Sequence, residues 1–135
     1  MISFDELLTD RCAMNKKMLQ VVVVDDESQI TELLRTFLLC ISKNLLVQTF
    51  NDPVEAKKHI ASHPVDVLIT DFKMPGLDGI QLMRLVPKDT TKILISGYVS
   101  EITQSQLQEL NAAFFEKPVP MKELGIIIHE AESKL

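Results

Sequence analysis

The chain has 135 residues, 46% of them apolar, and a formal net charge of −5. That length fits one domain with a real core, and the acidic balance argues against nonspecific nucleic-acid binding while leaving protein partners open. No apolar run approaches the ~18 residues of a membrane span, MISFDELLTDRC is too acidic for a secretory signal, and Cys12 and Cys40 lack any CxxC spacing, so a reduced cytoplasmic setting is expected rather than a disulfide framework or zinc site.

Residues 1–17 precede the regular pattern and read as an N-terminal extension. Ser3-Phe4-Asp5-Glu6 is a capping box, Ile2 is placed to staple against Leu7, and Phe4, Leu7 and Leu8 share one side of a short helix expected over 4–12. Such a side predicts docking on the domain or on a second copy in a homodimer; a frayed terminus is the alternative.

From residue 18 to 135 short apolar runs alternate with segments of helical spacing. The runs are 19–24 (LQVVVV), 45–50 (LLVQTF), 65–70 (VDVLIT), 92–96 (KILIS) and 113–116 (AFFE). The first and third are continuously apolar, as expected of parallel strands covered on both faces. Between the first two, Ile30, Leu33, Leu34, Phe37, Leu38 and Ile41 recur at three and four, which predicts a helix over 28–41. Ser28 and Ser100 are placed to cap the first and fourth helices. Asp52-Pro53-Val54-Glu55 and Asp78-Gly79-Ile80-Gln81 supply capping boxes for the second and a short third. A last helix is expected over about 120–134, although its Ile126-Ile127-Ile128 run is also strand-like. Strand–helix alternation implies right-handed crossovers and an α/β, doubly wound parallel sheet with helices on both faces.

In an open α/β sheet ligands bind beyond the carboxyl ends of the strands. The first strand ends in Asp25-Asp26-Glu27, the third in Asp71, the fourth in Ser96-Gly97 and the fifth in Lys117-Pro118. Each alone has an ordinary explanation, such as a helix N-terminus or a solvated charge. Together they bring carboxylates, a hydroxyl and an ammonium to one edge. Gathered carboxylates repel, so one must hold a proton or a cation must enter. Hard oxygens without His or Cys suit Mg²⁺, which favours a phosphate as co-ligand. A carboxylate can also act as a nucleophile towards phosphorus. The phosphoryl group so formed needs a metal, an ammonium and a hydroxyl on its oxygens, which Asp25 and Asp26, Lys117, and Ser96 would supply in turn.

The motifs VVVVDDE, ITDFKMPGLDG, ILISGY and FFEKP occur in order, and over about residues 18–134 the chain resembles a response-regulator receiver domain of two-component signalling. The resemblance implies the flavodoxin-like receiver fold with strand order 2-1-3-4-5. It also implies phosphotransfer to Asp71 from a histidine kinase or histidine phosphotransfer protein, catalysed by no further active site. Mg²⁺ is then held by Asp26, Asp71 and the backbone carbonyl of Lys73, with Asp25 acting mostly through water. The Lys117-Pro118 peptide is expected to be cis. In the implied switch Ser96 moves to the phosphoryl group and Phe114, where tyrosine is commoner, turns inward. The signalling face becomes helix 4, strand 5 and helix 5, for a downstream protein target or an output domain. Lys73 and Tyr98 stand where the family tunes hydrolysis, and neither carries a carboxylate or amide to orient water, so a long-lived acyl phosphate is expected.

Other readings fit less well. Asp-Asp-Glu after the first strand would repel the phosphate of FMN, and no GxGxxG is present for a dinucleotide. A haloacid-dehalogenase-type phosphatase normally shows Asp-x-Asp, whereas Phe72 and Lys73 follow Asp71. His59 and His63, four apart with no third ligand in view, read as a solvated or core-edge pair rather than as metal ligands. No segment reads as a DNA-recognition helix. The chain is therefore expected to be a stand-alone receiver or the receiver of a regulator with a DNA-binding or enzymatic output domain.

Overall fold

Five β-branched or aliphatic runs form β1 (Leu19–Val24), β2 (Leu45–Phe50), β3 (Val67–Asp71), β4 (Thr91–Ser96) and β5 (Ala112–Glu116). In the computed structural model, which describes residues 18–97, 102 and 104–135, they make one sheet. Its order is β2-β1-β3-β4-β5 and every pairing is parallel. The helices are α1 (Ser28–Ile41), α2 (Pro53–Ser62), α3 (Gly79–Met83), α4 (Gln104–Leu110) and α5 (Met121–Ser133). The fold is thus the flavodoxin-like receiver fold, and the Ile126-Ile127-Ile128 run is helical. The expected helix over 4–12, the Ser100 cap and Tyr98 lie outside the described residues.

The strand period of two sends alternate side chains into two cores. Val21, Val23, Val67, Ile69, Ile93 and Ile95 pack with Leu34 and Leu38 of α1 and with Leu124 and Ile128 of α5. Val22, Val24, Leu68 and Leu94 pack on the other face with Ala56 of α2 and with Ile80, Leu82 and Met83 of α3. β1, β3 and β4 are buried on both faces, whereas the edge strand β2 alternates, with Leu45 and Val47 in and Leu46 and Gln48 out. Burying a Leu or Ile side chain is worth about 1.5–3 kcal/mol, so these two layers hold the strand ends in register. Leu33 falls at the rim of the α1 stripe and stays exposed. No helix among the described residues is long and apolar enough to cross a membrane.

The helix starts differ in detail from expectation. Asp78 and Gln81 form the full capping box at α3, each side chain accepting from the other's backbone N–H at 2.8 Å. Asp52 caps α2 by accepting from Val54 N, but Glu55 pairs with Lys58 at 3.3 Å rather than closing a box. Ser28 does not cap α1. It is the first helical residue, and the cap position belongs to Glu27, whose N–H is already donated to Asp25 Oδ1 at 2.9 Å. The turn out of β1 is therefore shaped by the aspartate rather than by the serine.

Candidate functional site

The two cores set the strand exits side by side. β1 delivers Asp25 and Asp26, β3 ends on Asp71 itself, β4 ends on Ser96, and Lys117 follows β5. Carboxylate oxygens of Asp25, Asp26 and Asp71 lie within 4.8 Å of one another. Asp25 and Asp71 are buried and Asp26 is exposed, so the cluster opens to solvent on the Asp26 side. Lys117 Nζ lies 3.0 Å from Asp25 Oδ2, 3.4 Å from Asp71 Oδ1 and 3.7 Å from Glu27 Oε1. The peptide between Lys117 and Pro118 is cis, and Lys117 N donates to Ser96 O at 2.9 Å, joining the β4 and β5 exits.

Charge balance at this edge is incomplete. Burial pushes the Asp71 carboxyl up to about 6, repulsion from Asp25 adds to this, and Lys117 and the Phe72 N–H (2.9 Å from Oδ1) pull back. Burial likewise raises Asp25 against the Glu27 N–H and Lys117, with Asp26 adding repulsion. At Lys117 burial favours loss of the proton, but the carboxylates of Asp25 and Asp71 outweigh it and the net shift is upward. The Lys117 ammonium thus faces several carboxylates.

Asp25 Oδ2 is buried and has no hydrogen bond. The Lys117 ammonium lies 3.0 Å from it as an ion-pair contact. A buried carboxylate oxygen with an unused lone pair, beside two more carboxylates, matches a hard divalent cation that takes oxygen ligands. The donor set fits such an ion.

The loop after β3 is tied down at both ends. Phe72 N donates to Ile95 O at 3.0 Å, and Gly79 N donates to Phe72 O at 2.8 Å. Gly79 has no room for a side chain: a Cβ there would run into the Asp71 carbonyl oxygen and come 2.7 Å from Leu94 Cδ1. The missing Cβ lets the start of α3 sit directly against the end of β3. Lys73 is exposed on this loop, next to Phe72. Ser96 is fully buried at the end of β4. Phe114 is not at the strand exits; it pairs in register with Leu94 and lies half-buried against the second core, beside Leu107 of α4.

One residue at this edge is absent from the sequence expectation. Asn51 follows β2, and its Nδ2 donates to Asp25 O at 2.9 Å and to Thr31 Oγ1 at 3.0 Å. Thr31 Oγ1 in turn donates to Ser28 O at 3.1 Å. The β2 exit therefore clamps the acidic turn to the first turn of α1. Asking what ends each strand would have found Asn51 too, had the edge strand been included. His59 and His63 stack at 4.1 Å, with His63 Nδ1 near Ser62 Oγ and His59 O, away from the acidic cluster.

Comparison with known proteins agrees with this architecture. The family model of the response regulator receiver domain matches residues 21–129. The chain is 34% identical over 112 residues to a cyclic di-GMP phosphodiesterase response regulator, RpfG, of Xanthomonas campestris pv. campestris, covering 78% of this chain and 30% of that protein. It is 35% identical over 107 residues to a protein-glutamate methylesterase/protein-glutamine glutaminase of Albidiferax ferrireducens, covering 76% and 29%. The chain thus spans less than a third of either relative. Among solved structures, a receiver domain protein from Clostridium thermocellum superposes with a TM-score of 0.73 at 26% identity, covering 87% of this chain and 96% of that one. A CheY-like receiver from Methanospirillum hungatei has the same TM-score at 21% identity, covering 87% and 96%, and shares the fold. With the family model spanning most of its length and the sheet order in agreement, the chain belongs to the response-regulator receiver domain family.

Proposed function

We propose that this receiver domain accepts a phosphoryl group on Asp71 from a phosphohistidine of a histidine kinase or a histidine phosphotransfer protein, in a reaction that requires Mg²⁺. The observation that carries the reading is the position of Asp71: buried at the end of β3, within 4.8 Å of two further aspartates, and in contact with the Lys117 ammonium. In the transfer the donor's N–P bond breaks, an Asp71 carboxylate oxygen forms the new O–P bond, and the imidazole retains the electron pair of the broken bond and takes up a proton.

Asp25, Asp26 and Asp71, with the Lys73 carbonyl, are the proposed ligands for Mg²⁺. A cation held by these oxygens would offset the repulsion between the carboxylates and supply Lewis-acid polarisation of a phosphoryl oxygen. The Phe72 N–H orients the attacking carboxylate through Oδ1. Lys117 exchanges part of its contact with Asp25 and Asp71 for a phosphoryl oxygen, and the Ser96 hydroxyl donates to another. Movement of Ser96 draws the β4 end inward, and Phe114 follows into the space beside α4. The changed surface is α4, β5 and α5, read by a downstream protein, and residues 18–135 constitute the module. The domain carries out no reaction except on its own aspartate.

A second reading concerns the surroundings of the domain. The relatives are more than three times as long as the matched segment, which favours a receiver that controls a DNA-binding or enzymatic output domain. In both readings Asp71 has the same role. Beryllofluoride, a phosphoryl mimic, tests that role: with Mg²⁺ it should shift the amides of Ser96, Phe114 and Lys117. Equal shifts without Mg²⁺, or in Asp71→Asn, would contradict the assignment.

A further inference from the structure

At the sheet edge opposite the strand exits, a cavity of about 610 Å³ opens between the end of α3, the segment leading into β4 and the end of α4. Met83, Val86 and Leu110 give it an apolar side. Arg84, Lys88 and Lys92 line it as well, and among the described residues one carboxylate, that of Glu109, joins them. That carboxylate is occupied, since Arg84 Nη1 sits 3.2 Å from Glu109 Oε1.

Lys92 is the unusual member. Only 5% of it is exposed, and its Nζ donates to the carbonyls of Lys88 at 3.2 Å and Thr90 at 3.1 Å. An ammonium has three N–H donors, so one remains. Among the described residues no carboxylate pairs with it, although Asp89 lies near enough to oppose, in part, the downward push that burial exerts on its pKa. A buried cation whose hydrogen bonds go to carbonyls, with Asp89 acting on it without an ion-pair contact, is incompletely compensated, and an incoming anion would supply further charge.

We propose that this cavity binds a small organic anion, with a ring-sized apolar body against Met83, Val86 and Leu110 and its carboxylate directed to Lys92 and Lys88. The volume lies within the range of roughly 300–1,000 Å³ common for small-molecule sites, as does the mix of an apolar lining with a few polar groups. A large polyanion is disfavoured, because the chain as a whole carries −5 and would repel it outside this patch. Neither Asp71 nor the acidic cluster lines the cavity, so the site does not depend on the proposed phosphotransfer.

Naphthoate, with naphthamide as its neutral counterpart, tests this in the full chain by amide chemical shifts. A ligand of that size should bind with a dissociation constant of about 1 mM or tighter. The amides of Lys88, Lys92 and Asn111 should shift saturably, and both naphthamide and Lys92→Met should weaken the affinity about tenfold. Lys88→Ala, at an exposed position, should weaken it by a smaller factor and decides the point together with naphthamide if Lys92→Met does not fold. Absence of saturable shifts, equal affinity for acid and amide, unchanged affinity in the lysine variants, or shifts confined to another surface would each overturn the proposal.

Discussion

Asp71 carries a charge that its surroundings only partly accept. Its carboxyl titrates at about 6 in the folded chain against an ordinary value of 3.8, chiefly because burial disfavours the anion. The folded state therefore holds the proton more tightly than the unfolded chain, and stability falls as pH rises through that window. Asp71→Asn removes the penalty while keeping the shape. In chelator at pH 7.5 it should stabilise the protein by about 1–3 kcal/mol, and the gain should shrink towards pH 4. Urea unfolding at both pH values measures this; an equal effect at the two would contradict the burial account. Lys117 has the converse position. Its removal leaves buried carboxylates without their ammonium, so Lys117→Met should cost about 3 kcal/mol in chelator at neutral pH.

At the scale of the elements, the site is held by connections between strand ends and the helices that follow. Gly79→Ala would drive a methyl group between the end of β3 and Leu94, and overpacking of that kind costs about 1–3 kcal/mol. A crystal structure of the variant should show α3 displaced from β3; an unmoved α3 with unchanged stability would contradict the close contact. Asn51→Ala removes two hydrogen bonds between β2, the acidic turn and α1, which should cost about 1–2 kcal/mol and loosen the proposed cation site as well. Much of this level was legible beforehand. The apolar runs placed all five strands: β1, β3 and β4 are buried on both faces and carry few polar residues to mislead, and the edge strands β2 and β5 still read as short apolar runs. Asp78 announced α3 because its capping box is local in sequence. Ser28 misled because its competitor, Asp25, reaches the Glu27 N–H across a turn whose shape depends on the sheet. Asn51 was missed for a related reason: its partners, Asp25 O and Thr31 Oγ1, are 26 and 20 residues away and meet it only after β1 and β2 pair. The exposure of Asp26 beside the burial of Asp25 was equally invisible, because adjacent residues separate only when α1 fixes the turn.

For the whole molecule, two apolar layers hold the sheet and place its polar chemistry at one edge. Binding of a cation to the folded state alone should stabilise the entire domain, by about 2.7 kcal/mol at a hundredfold excess over the dissociation constant. Thermal unfolding with increasing Mg²⁺ should thus show a rising midpoint for the native chain and a smaller rise for Asp26→Asn. For the proposed switch the fold supplies continuous elements: β4 runs from buried Ser96 to buried Lys92, and β5 carries Phe114 alongside Leu94. Intact-mass measurement after incubation with a small acyl-phosphate donor shows whether Asp71 accepts the phosphoryl group. The native chain should gain one phosphoryl group when Mg²⁺ is present and none in excess chelator, and Asp71→Asn should gain none in either. Equal labelling of Asp71→Asn, or undiminished labelling of the native chain in chelator, would contradict the account.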